Sequence, residues 1–142
     1  MRCNPCRRWH LPATEHRKRH LTKTEASQLL AAKFPRLFQT SEWPSDDVPD
    51  GWLGIVRHTL QRVDTALSDP DAAAFQLVGV EESSGRLVMV ARYPAHCDPE
   101  VEQILGDAWD ASEDICELCG DYSAGFSSFF TLCRQCARRD AA

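Results

Sequence analysis

Two Cys-x-x-Cys pairs, Cys116-Glu-Leu-Cys119 and Cys133-Arg-Gln-Cys136, constrain this chain more than any other feature, with thirteen residues between them. Each pair lets two thiolates converge on one ion, and two such knuckles on facing turns complete the tetrahedron that Zn²⁺ accepts without a d-electron preference. Gly120 directly follows the first knuckle, where the backbone needs a positive φ so that N–H groups can point at sulfur. The gap is somewhat shorter than that of common zinc ribbons, which predicts a tight hairpin between the knuckles. Four sulfurs close the coordination sphere and leave no position for water or substrate, so the expected role is structural. Zinc in small modules supplies on the order of 10 kcal/mol of apparent binding free energy, enough to hold a segment too short to build its own core.

Two disulfides from the same cysteines would require an oxidising compartment, and nothing in the sequence suggests one. Arg2, Arg7 and Arg8 are followed by no apolar stretch of the signal-peptide kind. The longest apolar run, residues 72–80, is broken by Gln76 and is far too short to span a bilayer. The expectation is a cytoplasmic protein with no membrane partner.

Charge is segregated along the 142 residues. Residues 1–24 carry Arg2, Arg7, Arg8, Arg17, Lys18, Arg19 and Lys23 against Glu15 alone, a net of +6, which leaves −11 for the remainder of a chain whose total is −5. Nine acidic residues from Asp98 to Asp121 follow one another with no Lys or Arg between them. The first reading of that run is a solvated helix face; the sharper one is a mimic of a phosphate backbone that engages a basic groove.

Periodicity predicts the body. Thr24 reads as an N-cap and Ala26, Leu29, Leu30, Lys33 and Phe34 as one helical face ended by Pro35. Leu37 and Phe38 anchor the exit, and Trp43 lies in a loop where it is either core or contact surface. Trp52, Ile55, Val56, Thr59, Leu60, Val63 and Leu67 recur at intervals of three and four, a strong amphipathic helix that Asp69-Pro70-Asp71 is expected to break. Residues 75–82 and 86–93 read as strands joined by Ser83-Ser84-Gly85. Asp98-Pro99 starts another helix with Val101, Ile104, Leu105, Ala108, Ser112 and Ile115 on one face. Phe126, Phe129 and Phe130 sit in a small hairpin between the knuckles. The fold class expected is α+β: a helix, β-hairpin and helix body at 25–115, a zinc-ribbon-like Cys₄ module at 116–142, and a basic arm at 1–24.

The order of Phe34-Pro35-Arg36-Leu37-Phe38, Asp50-Gly51-Trp52-Leu53, Gly85-Arg86-Leu87 and Ile115-Cys116-Glu117-Leu118-Cys119-Gly120 resembles a family of small bacterial and phage proteins of uncharacterised role that end in a cysteine-pair module. The resemblance spans about residues 25–142. It implies a phage or mobile-element setting and no particular chemistry.

The arm holds a second candidate metal set, Cys3, Cys6, His16 and His20, a shortened Cys₂His₂ spacing with nine residues between Cys6 and His16 and with His10 as a competing ligand. The bland reading is an ordinary basic tail. With metal bound, its seven basic residues become organised around the ion as a small nucleic-acid-facing module, since Arg and Lys contacts to phosphate supply most non-specific affinity; a third option is that the arm folds back on the acidic run. His96-Cys97 fails as a base and nucleophile because neighbouring side chains diverge, and Cys97 reads as a small hydrophobe or incidental thiol. Glu81 and Glu82 face opposite ways on a strand. No Walker loop, Gly-x-Ser-x-Gly, His-Glu-x-x-His or His-Asn-His core is present. The expected function is therefore non-enzymatic, a zinc-stabilised module whose basic arm and exposed aromatics, Trp43 and Phe129-Phe130, contact nucleic acid or a nucleic-acid-associated protein. The rival expectation is a protein-directed inhibitor or adaptor that uses the acidic run 98–121 on a basic protein surface.

Overall fold

A computed structural model describes residues 23–40, 42–44, 48–122, 125–126 and 130–140. Helix α1 (Lys23–Lys33) begins one residue before Thr24, so that threonine lies inside the helix rather than capping it. Its apolar face is narrower than expected: Leu29 is 58% exposed, while Leu30 and Phe34 turn inward. Phe34, Leu37 and Trp43 are fully buried. Trp43 is thus a core residue, and its proposed role as contact surface is overturned by its 1% exposure.

A 3-10 turn at Asp50–Trp52 leads into α2 (Leu53–Ala66), where Ile55, Val56, Thr59, Leu60 and Val63 face the core as their spacing requires. The helix ends at Leu67. The helix is broken just before Asp69-Pro70-Asp71, as expected, and that segment also opens a new short helix, α3 (Asp69–Ala74), with proline in the first turn, where its missing N–H costs nothing. Arg36 clamps this corner, bonding to the Asp64 and Leu67 carbonyls at 2.8 and 2.6 Å and to the Asp69 carboxylate at 3.0 Å.

Strands β1 (Gln76–Ser83) and β2 (Arg86–Arg92) pair antiparallel, with Glu82 opposite Leu87 and Ser83 opposite Arg86. The two loop residues, Ser84 and Gly85, have φ of 50° and 79°, the left-handed pair that matches strand twist in a two-residue hairpin. A bulge at Val78 shifts the register between Leu77 and Gly79. Leu77, Val80, Leu87 and Met89 pack on the core beside α4 (Asp98–Ser112), which follows a 3-10 turn at Ala95–Cys97. Val101, Ile104 and Ala108 complete the layer between α2 and the hairpin.

The acidic run is more engaged than a solvated face. Asp107 pairs with Arg62 at 2.7 Å, Glu113 with Arg86 at 3.0 Å, and Asp98 accepts the Tyr93 hydroxyl at 3.0 Å. Glu117 is buried, with its carboxylate accepting the Thr131 N–H at 3.2 Å. Beyond α4 the chain forms β3 (Gly125–Phe126), β4 (Thr131–Leu132) and α5 (Arg134–Asp140), the expected small hairpin followed by a helix. Among the described residues, no helix is long and apolar enough to cross a membrane.

Candidate metal centre

The two knuckles are presented by unlike structures. Cys116 and Cys119 sit on a turn that begins where Ile115 bridges Tyr122, closed by the Gly120 N–H on the Cys116 carbonyl at 2.9 Å. Gly120 has φ 77°, the conformation its position after the knuckle predicts. Cys133 precedes α5 and Cys136 lies in its first turn. The hairpin β3–β4 brings the pairs face to face, and Glu117 N–H donates to the Thr131 carbonyl at 2.9 Å across the join.

All four sulfurs lie within 4.8 Å of one another, and those of Cys119 and Cys133 are 3.7 Å apart. A tetrahedron with 2.3 Å metal–sulfur bonds has edges of about 3.8 Å, so the cage already has the size of an S₄ site. Backbone N–H groups of Asp121 and Cys136 donate to the sulfurs of Cys119 and Cys133, each at 3.4 Å, which disperses thiolate charge. Cys116, Cys133 and Cys136 are buried. Comparison with protein-family models, curated proteins and solved structures gave no match.

The thiols are not equivalent. A hydrogen bond from the Cys119 thiol pulls Cys116 down to about 5, and the same bond pushes Cys119 far up. Burial pushes Cys136 up to about 12. One sulfur thus becomes a thiolate supported by its neighbours, and the protons on Cys119 and Cys136 leave when a cation takes their place.

The module is seated on the body by contacts that spacing does not reveal. Gly51 N–H donates to the Glu117 carbonyl at 2.9 Å, and the buried Trp52 indole donates to the Ile115 carbonyl at 2.9 Å. Thr131 Oγ1 donates to the carbonyl of Gly85 at the hairpin tip, at 2.6 Å. Gly51 is required by this approach: a β-carbon there would overlap the Cys116 carbonyl oxygen and stand 2.6 and 2.7 Å from the Glu117 carbonyl carbon and oxygen. The Gly-Trp pair that opens α2 is therefore the docking point for the first knuckle.

Of the other sequence-singled residues, Cys3, Cys6, His16, His20, Arg2, Arg7, Arg8, Arg17, Lys18 and Arg19 lie outside the described residues, as does Phe129. Lys23 is the first residue of α1. Phe130 is exposed, together with Tyr122, Leu118 and Trp109, and Arg86 lies 5.3 Å from the Trp109 ring. Sequence reasoning missed one cluster. Asp71, twenty-five residues from His96, lies near both His96 and Cys97; Cys97 packs against the core as a small hydrophobe does, and burial and then Asp71 push its thiol up.

Proposed function

We infer that this protein is a non-enzymatic, zinc-stabilised binding module that contacts nucleic acid or a nucleic-acid-associated protein in the cytoplasm, with the phage or mobile-element setting that its motif order suggests. The observation that carries the reading is the four-sulfur cage. Zinc suits it because soft thiolates in a tetrahedral cage are its preferred surroundings, and a filled S₄ sphere has no vacancy for a reactant. The ion's work is then to lock the knuckles against Gly51, Trp52 and Gly85.

The nucleic-acid arm of the reading is supported by charge and exposure. The module presents Tyr122 and Phe130, about half exposed, together with exposed Arg134 and Arg138 on α5. Aromatic faces stack on bases while arginines meet phosphates, and the +6 of residues 1–24 adds electrostatic capture. The inhibitor reading for the acidic run is less favoured, because Asp98, Asp107, Glu113 and Glu117 already have partners within the chain.

The test is fluorescence anisotropy with labelled single-stranded and duplex oligonucleotides across a salt series. Six basic residues precede Lys23, so the arm is expected to contribute a slope of at most about −5 in log K against log salt. Deleting residues 1–22, which leaves α1 whole, is expected to abolish most of the affinity. Undiminished binding by the deleted protein refutes the arm's role.

A further inference from the structure

We propose that Asp71, His96 and Cys97 form a further metal site, an open three-ligand centre for a divalent ion of borderline softness, zinc foremost. The carboxylate, imidazole and thiol come from two separate elements, α3 and the 3-10 turn that leads into α4, and their ligand atoms all lie within 4.8 Å of one another. His96 Nε2 stands 2.9 Å from Asp71 Oδ2. Bonds of 2.0–2.1 Å to nitrogen and oxygen set a tetrahedral edge of about 3.3 Å, so an ion entering between them needs the pair to part by about half an ångström. The His96 side chain is 69% exposed and free to make that movement, while Asp71 at 19% is held.

The backbone is already arranged for the site. Arg36 pins the start of α3 through Asp69 and the Leu67 carbonyl, and Cys97 N–H closes its turn on the Pro94 carbonyl at 2.9 Å. Cys97 packs against the core, so its sulfur is directed from a fixed base. A neutral imidazole, a carboxylate and a thiolate balance the charge of a divalent cation. Binding is written as thiol plus M²⁺ giving thiolate–M plus H⁺, the proton leaving to solvent.

The mixed N, O and S donor set excludes calcium and magnesium, which take oxygen, and selects zinc or its neighbours. Three protein ligands leave a fourth position on the solvent side, filled by water. This contrasts with the closed S₄ cage and makes the site the weaker of the two.

Full-length protein, reduced and stripped of metal, is titrated with zinc against a chromophoric chelator. The wild type is expected to hold one zinc more than Cys97→Ala and one more than His96→Ala, the loss falling on the weakest class of site. A single equivalent of cobalt, which fills the tighter four-sulfur cage first, reads that cage separately, and its sulfur-to-cobalt absorption is expected to match in all three proteins. Wild-type zinc content in either variant overturns the proposal. So does a cadmium NMR spectrum of the wild type without a resonance in the range of single-sulfur sites, a measurement that needs no variant.

Discussion

Replacing Gly51 by alanine is the sharpest probe of how the metal module is joined to the body. In a helical turn this change ordinarily stabilises, by roughly 0.5–1 kcal/mol, because glycine loses more backbone entropy on folding. Here the added carbon meets backbone on the far side, the Cys116 carbonyl oxygen and the Glu117 carbonyl carbon and oxygen at 2.6 and 2.7 Å, where ordinary contact begins near 3.4 Å. Backbone cannot rotate away as a side-chain tip can, so the knuckle must withdraw by about 1 Å. That withdrawal strains the Gly51–Glu117 and Trp52–Ile115 hydrogen bonds, each worth about 0.5–1.5 kcal/mol net, on top of an overpacking cost of about 1–3 kcal/mol. The expected loss is at most about 2–6 kcal/mol, a large share of the roughly 5–15 kcal/mol that holds a domain folded. Gly106→Ala is the internal control, because a β-carbon at that exposed position in α4 meets nothing within 4 Å and should raise stability by about 0.5–1 kcal/mol. Urea unfolding of the zinc-loaded proteins, read by tryptophan fluorescence, gives both values. If Gly51→Ala is as stable as the wild type, the close docking of knuckle on α2 is refuted.

Trp52→Phe keeps the ring buried but leaves the Ile115 carbonyl without the indole donor; denaturant unfolding should show a loss of about 1–3 kcal/mol. Metal affinity of the Cys₄ cage should rise with pH: Cys119 and Cys136 keep their protons at neutral pH while Cys116, at about 5, does not. At least two protons are therefore displaced on binding, and competition titrations between pH 6 and 8 should give log K rising by about two or more per pH unit. A flat profile would contradict this. Asp107→Asn should cost under about 1 kcal/mol, because the pair with Arg62 is over a third exposed on both sides; Arg62 holds the Asp107 carboxyl below its usual range, so the small contribution is present at neutral pH and fades as pH falls through the carboxylate range. Thermal melts at pH 7 and pH 3 check both magnitude and sign.

Helices α2 and α4 and the β1–β2 hairpin were legible because each announces itself locally. Val63 and Leu60 lie on one helical face by spacing alone, and Ser84-Gly85 is turn chemistry wherever it occurs between strands. What the sequence reading missed has local causes too. Asp69-Pro70 marks the break after α2 as expected, but the same residues also suit a helix start, and the structure makes them one. Leu29 fits the α1 periodicity yet stays exposed, since periodicity identifies a face without saying that a partner covers it.

The four sulfurs could be grouped from spacing, because a knuckle is a four-residue object and needs only its own turn to form. Where that knuckle sits could not. Gly51 touches Glu117, Thr131 touches Gly85, and Asp71 meets His96 and Cys97, pairs separated by twenty-five to sixty-six residues. Contacts at such distances follow from how the α2, α4 and hairpin layers close on one core, and packing of that kind leaves no periodic trace in the chain. Trp43 illustrates the same division: composition marks it as a large apolar ring, and only the closing of the core over it decides that it is hidden.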